Sequence, residues 1–268
     1  MHIGFIGSGS MTSAIARGAV AADFAGADMS FSDHRGIHAP ALAAELGGTA
    51  TDNRSLAQNS DIIVLAVKPH VQQGVIQEIR DIVASRPQTC VVSIAAGRTL
   101  ASMEADFEAP VALVRAMPNV NAQISESMTA MCPNDTVTEE QRGAVRSLLD
   151  AIGRTVTIEE RDFPVFSALA GCSPAWVFQI IDALARAGVK HGLPKQRAVA
   201  IVAQALAGSA TLVLSAAEED TTPSQLIDQV TSPGGTTIAG LLAAEEAGLS
   251  PALVRAVDAA VARDHQLG

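Results

Sequence analysis

Near its start the chain reads Gly4-Phe5-Ile6-Gly7-Ser8-Gly9-Ser10-Met11-Thr12, an apolar run that leads through a glycine-rich loop into a helical pattern. A strand, a tight glycine turn and a helix start are the context in which dinucleotides bind. Gly7 permits the turn, Gly9 lets a pyrophosphate approach the backbone, and free amides at the helix start attract the anion. Thr12 stands where a third glycine or alanine is usual. The segment predicts nucleotide binding; a plain glycine turn is the alternative.

The first 160 residues alternate short β-branched runs with helical patterns. Strands are predicted at residues 3–6, 29–32, 62–67, 89–95, 111–116, 128–132 and 155–158. This alternation is typical of an α/β domain with a mostly parallel sheet. Residues 62–67 and 90–96 are apolar without alternation, which predicts central strands covered on both faces.

After about residue 160 only helical patterns remain. Helices are predicted at residues 162–170, 174–191, 195–217, 223–230, 236–247 and 251–266. We therefore expect an α/β domain over residues 1–160 and an all-α domain over residues 161–268. The helix at 195–217 is apolar nearly all round, and we expect it to be buried against a second copy of the chain.

Composition excludes several classes of protein. The 268 residues include 18 Lys+Arg against 28 Asp+Glu, a formal charge of −10, which argues against nucleic-acid or anionic-membrane binding. Three scattered cysteines indicate neither a disulfide framework nor a zinc site, no metal is expected, and a cytoplasmic location fits. The longest apolar run, residues 198–214, is interrupted by polar residues and is too short to predict a transmembrane segment.

The second strand ends at Ser32-Asp33-His34-Arg35, where an adenosine ribose is expected. Asp33 favours NAD by accepting the ribose hydroxyls, whereas Arg35 can pair with the 2′-phosphate of NADP. The sequence offers both, with a slight preference for NADPH. Alternatively these side chains are simply solvated.

Three further loops carry candidate chemistry. Lys68-Pro69-His70 follows a buried strand, where it is either a cofactor contact or a strand stop with an exposed cation. Residues 230–238, Val-Thr-Ser-Pro-Gly-Gly-Thr-Thr-Ile, form a nest of amides suited to a carboxylate, or else a turn capped by Thr236 or Thr237. Gly171-Cys172-Ser173-Pro174-Ala175-Trp176 breaks a helix where a cleft between domains would form. Cys172 has no evident base, so we interpret it as a packing residue.

Several segments together resemble pyrroline-5-carboxylate reductases over nearly the whole chain. They are Gly7-Ser8-Gly9-Ser10-Met11, Ala66-Val67-Lys68-Pro69, Ser93-Ile94-Ala95-Ala96-Gly97, Arg115-Ala116-Met117-Pro118-Asn119, and residues 171–175, 188–194 and 230–238. The segment 231–238 is the most specific. The resemblance implies a Rossmann domain followed by a helical dimerisation domain, a homodimer that can assemble into a ring of dimers, and reduction of the cyclic imine 1-pyrroline-5-carboxylate to L-proline with NADP(H) or NAD(H).

The resemblance also assigns site residues. It implies that the pyrophosphate is held by Gly7, Ser8, Gly9, Ser10 and Met11, the ribose or its phosphate by Asn53, and the nicotinamide half by Ala66, Val67, Lys68, Pro69, Ala95, Ala96 and Gly97. Asp33 and Arg35 complete the expected cofactor contacts. The resemblance also implies that the substrate carboxylate is bound by Ser232, Gly234, Gly235, Thr236 and Thr237. The hydroxyl of Thr237 is then the catalytic group near the ring nitrogen.

The chain departs from the family pattern in two segments expected near the cleft. Ala170, Cys172 and Trp176 replace residues of one motif, where serine, serine and tyrosine are usual, and Val120-Asn121 replaces the Thr-Pro of another. The alternatives are therefore a reductase of another cyclic imine carboxylate, such as a six-membered ring, and a nucleotide-binding protein without catalysis.

Overall fold

A single eight-stranded sheet organises the first part of the chain in the computed structural model, which describes residues 1–267. Its strands, in the spatial order β3-β2-β1-β4-β5-β6-β7-β8, are β1 Ile3–Ile6, β2 Met29–Ser32, β3 Thr49–Ala50, β4 Ile62–Leu65, β5 Cys90–Ser93, β6 Ala112–Met117, β7 Ser127–Pro133 and β8 Gly153–Thr157. Strands β1 to β6 pair in parallel, and β7 runs antiparallel to β6 and parallel to β8. The predicted mostly parallel sheet is confirmed, while the two-residue β3 was not predicted.

Helices cover both faces of the sheet. They are α1 Ser10–Ala21, α2 His38–Leu46, α3 Asn53–Asn59, α4 Pro69–Ala84, α5 Leu100–Phe107 and α6 Glu139–Asp150. Phe5 of β1 packs in one apolar cluster with residues of α1, α2 and α6, and its neighbour Ile6 packs in the other with residues of α3, α4 and α5. Because successive side chains of a strand point to opposite faces, both must be apolar, which explains the unalternating pattern.

The rest of the chain is helical, as predicted. It comprises α7 Phe163–Phe166, a π-helical turn Ser167–Cys172, α8 Ser173–Lys190, α9 Lys195–Ala216, α10 Pro223–Val230, α11 Thr236–Glu246 and α12 Leu249–Leu267. The fold divides into two compact units: Met1–Gly171 with the chain from Ala260 onward, here called the sheet unit, and Cys172–Ala259, here called the helical unit.

Helix α9 buries little within its own chain. Of its 22 residues, only Ala198 is buried, and Ile201, Leu212 and Leu214 are more than half exposed. The stretches Glu160–Lys190 and Lys195–Glu219 are both long and apolar enough to cross a membrane, and a bent pair of later helices would add a third. The expectation that the run at 198–214 is too short to span a membrane is therefore wrong on length, and because its polar interruptions are uncharged, composition does not exclude a span either. A second copy of the chain would cover the same surface.

Candidate active site

The loop between β1 and α1 is shaped by Gly7. Its φ is +98°, and a Cβ there would lie 2.7 Å from the carbonyl oxygen of Ala66. The amide of Gly7 donates to the carbonyl of Ser32 over 2.9 Å, which ties the loop to the end of β2. Only glycine fits both the backbone angle and the close approach, so the first glycine of the predicted fingerprint has the expected role.

Gly9 precedes α1 and leaves its start open. Within the described chain no side-chain oxygen caps this helix, and a Cβ at Gly9 would meet nothing within 4 Å. Thr12, in the place of the third glycine, donates its hydroxyl to the carbonyl of Gly7 over 2.5 Å and so closes the loop from inside. Unpaired first-turn amides beside open space form an anion site. The segment from Gly7 to Met11 therefore fits a pyrophosphate.

A cavity of about 400 Å³ adjoins this loop at the carboxyl ends of β1, β2 and β4. Asn53, at the start of α3, lines it and accepts a 2.7 Å hydrogen bond from the hydroxyl of Ser32. The Asn53 amide nitrogen donates to the Glu78 carboxylate over 2.7 Å. Asp33 lines the same cavity, whereas Arg35 is exposed and lies outside the lining. The cavity has the position and polarity expected for an adenosine ribose.

Asp33 is engaged by the backbone of its own loop. Its Oδ1 accepts from the amides of Arg35 at 2.8 Å and Ile37 at 3.3 Å, and its Oδ2 accepts from the amide of Ala39 at 2.5 Å. Partial burial alone would raise the pKa of Asp33, but these amide donors outweigh it and hold the pKa below its usual range. The carboxylate is thus ionised and shapes the loop that enters α2.

The loop after β4 lies beside the first glycine loop, because the amide of Ala66 donates to the carbonyl of Ile6 over 2.8 Å. Val67 lines the same cavity, Lys68 directly precedes α4, and Pro69 is the first residue of that helix. Lys68, Pro69 and His70 are exposed. The exposed Lys68 is compatible with both interpretations made from the sequence, and its role stays a prediction.

A buried polar network holds the loop of Ala95, Ala96 and Gly97. Gln72, fully buried on α4, donates to the hydroxyl of Ser93 over 2.6 Å, and the amide of Ala95 donates to the same oxygen over 3.3 Å. Arg98 donates its Nε hydrogen to the side-chain oxygen Oε1 of Gln72 over 3.1 Å and forms an ion pair with Asp106. Sequence reasoning missed Gln72. The available signal was a polar residue among the core-facing positions of an amphipathic helix.

Where a helix break was predicted at residues 171–176, the structure has a π-helical turn over Ser167–Cys172 that is fixed by Asn119. Pro174 has no amide hydrogen, so the carbonyl of Ala170 cannot receive its usual α-helical partner four residues on. The side-chain amide of Asn119, buried after β6, donates to that carbonyl over 2.9 Å. π-turns concentrate at functional sites. The predicted interruption is therefore a π-helical turn that continues directly into α8 and not a break, and Cys172, its last residue, is partly buried.

A buried arginine secures the neighbouring segment. Arg115 on β6 is only 6% exposed, pairs with the Glu160 carboxylate at 3.1 Å, and has its guanidinium 4.1 Å from the centre of the Phe163 ring. The same Glu160 oxygen accepts the amide of Leu100, at the start of α5, over 2.7 Å. These contacts explain why the residues just after 160 pack with the sheet unit.

The second glycine loop precedes α11 in the helical unit. Gly234 has φ +69°, and the amide of Gly235 donates to the carbonyl of Ser232 over 3.0 Å. Gly235 is the residue that caps α11, so the alternative of Thr236 or Thr237 as N-cap is wrong. Both threonines lie in the first turn and are exposed. As at α1, the described residues supply no side-chain acceptor for this helix start.

The expected contacts thus divide between the units: all nucleotide loops lie in the sheet unit, and the predicted carboxylate loop lies in the helical unit. Among residues 1–267, no group of three or more His, Cys, Asp or Glu could hold a metal ion. The three cysteines are free thiols.

Comparisons with known proteins assign both parts of the chain. Residues 160–267 match the family described as pyrroline-5-carboxylate reductase dimerisation, and residues 2–97 match NADP oxidoreductase coenzyme F420-dependent. A pyrroline-5-carboxylate reductase of Methanosarcina acetivorans is 35% identical, with 99% of this chain and 97% of that protein covered.

Solved structures agree. A pyrroline-5-carboxylate reductase from Coxiella burnetii superposes with a TM-score of 0.93 at 32% identity, covering 100% of this chain and 98% of that one. A Plasmodium falciparum pyrroline carboxylate reductase with NADP bound gives a TM-score of 0.87 at 28% identity, with the same coverage. With its fold, its two glycine loops and relatives of this similarity, the chain belongs to the pyrroline-5-carboxylate reductase family.

Proposed function

We propose that the protein reduces 1-pyrroline-5-carboxylate to L-proline with NADPH or NADH. One observation carries the proposal: among the described helices, α1 and α11 have glycine as the N-cap residue, so each start is left without a side-chain cap. A dinucleotide and a cyclic imino acid both carry an anion, and each needs such a site. Membership of the family indicates that the two sites serve one reaction.

The sheet unit would hold the cofactor through Gly7, Ser8, Gly9, Ser10 and Met11 at the pyrophosphate and through Asn53 and Asp33 at the ribose. Ala66 to Pro69 and Ala95 to Gly97 would hold the nicotinamide half. Arg35 is a weaker candidate, since it is exposed outside the cavity lining. The reduced nicotinamide, when bound, supplies the hydride that is added to the imine carbon.

The helical unit would hold the substrate. The backbone amides of the loop formed by Ser232, Gly234 and Gly235 would bind the substrate carboxylate. The exposed hydroxyls of Thr236 and Thr237 lie beside this loop, in the first turn of α11. A threonine hydroxyl is too weak an acid to ionise near neutral pH. Thr237 would therefore orient the ring nitrogen by a hydrogen bond, and that nitrogen would take its proton from solvent or enter already protonated.

The dimerisation family matched by residues 160–267 supports a homodimer. We extend this to a division into domains at residue 160, where that match begins, although residues 161–171 pack with the sheet unit. We extend it also to assembly of dimers into a ring and to a cytoplasmic location. The free thiols fit a reducing compartment.

The test is oxidation of NADPH and NADH by the purified protein in the presence of 1-pyrroline-5-carboxylate. A six-membered cyclic imine carboxylate is the matched second substrate, because Cys172, Trp176, Val120 and Asn121 depart from the family pattern near the expected cleft. We expect higher kcat/KM with the five-membered ring. Faster turnover of the six-membered ring would reassign the substrate, and failure with both would leave a nucleotide-binding protein without this catalysis.

A further inference from the structure

We propose that the chain prefers NADH to NADPH, because its adenosine cavity is ringed by carboxylates and the loop amides nearest the ribose are already occupied by one of them. The inference rests on the proposed nicotinamide-dependent reduction and concerns only which dinucleotide is used. The two cofactors differ by the 2′-phosphate on that ribose, so the charge around it decides the preference.

Acidic side chains dominate the cavity. Asp33, Asp52 and Glu78 all line it, while its lining, all within the described residues, includes no lysine or arginine and only one imidazole, that of His34. A phosphate monoester carries a charge of about −1.5 to −2 at neutral pH. Three carboxylates around a cavity of about 400 Å³ would repel that group, whereas the hydroxyls of NADH meet no such penalty.

Asp33 adds a directional effect. An ionised carboxylate can accept about four hydrogen bonds; the amides of Arg35, Ile37 and Ala39 supply three, and the amide of Gly36 also lies close to it. A ribose hydroxyl, which has a proton to donate, can still approach this carboxylate as a further donor. A phosphate oxygen offers no such proton, and the amides that would otherwise receive it are bound to Asp33.

Of the two arginines near the cavity, Arg54 is paired outside it and Arg35 does not line it. Arg54 pairs with Asp81 at 2.9 Å and donates to the backbone carbonyl of Glu78 over 2.6 Å. Arg35, whose presence favoured NADPH in the sequence, is exposed outside the cavity lining. The geometry therefore reverses that slight preference.

Direct binding tests the proposal without turnover. Isothermal titration of the purified protein would give the dissociation constants of NAD⁺ and NADP⁺, and of the fragments 5′-AMP and 2′,5′-ADP. We expect NAD⁺ to bind at least about tenfold more tightly than NADP⁺, a difference of ~1.4 kcal/mol. Equal affinities, or tighter NADP⁺, would overturn the proposal.

Three variants locate the cause, each chosen to keep a local hydrogen bond. Asp52→Asn retains the cap of α3, Glu78→Gln retains an acceptor for Asn53, and Asp33→Ser retains one acceptor for the loop amides. Each should shift the ratio of dissociation constants toward NADP⁺, with Asp33→Ser largest at about tenfold.

The control, Asp135→Asn, removes the same charge from an exposed position just after β7, which lies four strands from β1 and therefore far from the cavity. It should leave the ratio unchanged. If Asp52→Asn and Glu78→Gln leave the ratio of dissociation constants unchanged, as this control does, the carboxylates do not set the preference for NAD⁺. This outcome decides the matter even if Asp33→Ser fails to fold. Preferential NAD⁺ binding without turnover of any imine would leave this inference standing and remove the proposed function.

Discussion

The two units differ in how much of their apolar surface is buried within the chain. In the sheet unit every residue of β1 and β4 is buried, because helices of the same chain cover both faces. In the helical unit, α9 buries one residue of 22. The sheet unit thus completes its own core, whereas the helical unit needs another molecule to cover its surface, and the dimerisation family matched by residues 160–267 indicates which molecule that is.

The two units nevertheless offer the same kind of backbone site for an anion. Gly9 before α1 and Gly235 before α11 each leave a helix start without a side-chain cap, among residues the structure describes. An acidic chain with a formal charge of −10 can hold anions at such backbone sites without a cluster of basic side chains.

The largest expected effect comes from placing a charge on α9. Ile201, 53% exposed within its own chain, becomes Glu in the variant Ile201→Glu. A charge buried unpaired in an interface costs several kcal/mol, so we expect the dimer dissociation constant to rise by at least about a hundredfold, with loss of activity. Sedimentation velocity measures it. Met128→Glu is the control, because Met128 is exposed on β7 of the sheet unit, and it should leave the dimer intact. If both variants weakened the dimer equally, the proposed difference between the units would be contradicted.

Removal of the Thr237 hydroxyl should affect turnover more than folding. A hydrogen bond contributes roughly 0.5–1.5 kcal/mol between neutral groups and about 1.5–3 kcal/mol when one is charged. An iminium-like transition state therefore predicts that Thr237→Ala lowers kcat/KM by between about tenfold and somewhat over a hundredfold. Thr237→Ser should recover much of it.

Because Gly235 and not Thr237 caps α11, the unfolding midpoint of Thr237→Ala should stay near that of the wild type. Cofactor affinity should also be preserved. Full activity with a lowered midpoint would remove Thr237 from the mechanism.

The two glycines of the first loop should separate stability from binding. Gly7→Ala places a side chain at φ +98° and within 2.7 Å of the Ala66 carbonyl oxygen, so we expect a loss of about 1–3 kcal/mol in the free energy of unfolding. Gly9→Ala meets no protein atom within 4 Å. It should fold normally and yet bind the dinucleotide more weakly, because its methyl group would occupy the pyrophosphate approach. Calorimetry and denaturant titration on both variants check this, and unaltered affinity in Gly9→Ala would contradict the placement.

The smallest effect compares matched helix caps in the two units. Thr138 with Gln141 before α6, and Thr222 with Gln225 before α10, form the same capping box. Each Thr→Ala variant should cost about 1 kcal/mol. For Thr138 the loss should be independent of protein concentration, whereas for Thr222 the thermal midpoint should fall further on dilution if the helical unit is stabilised by dimerisation. Identical concentration dependence in both variants would contradict this.

Much of the fold could be predicted from the sequence, because its signals are local. The apolar runs at β1, β4 and β5 and the glycine at residue 7 report directly on buried strands and a tight turn. The two-residue β3 has too few residues to carry a pattern. The antiparallel direction of β7 is set by pairing with β6 and not by its own residues.

The site was less predictable where it depends on distant contacts. The interruption near residues 171–176 could be predicted from Gly171 and Pro174, but the π-helical turn depends on Asn119, 51 residues before the carbonyl it reaches. Asp33 could be recognised as an acid at the ribose. Its three amide partners come from the path of the following loop, which no local pattern encodes.

The contrast between the units is tested most directly by sedimentation velocity of the full chain, prepared without detergent, from nanomolar to micromolar concentration. The exposed apolar faces of α8 and α9 are long enough for a membrane as well as for a second copy, and the two occupants give different results. We predict a detergent-free homodimer or a multiple of it, with activity that declines as the dimer dissociates. A folded, active monomer at micromolar concentration, or a protein that stays in solution only with detergent, would contradict the account.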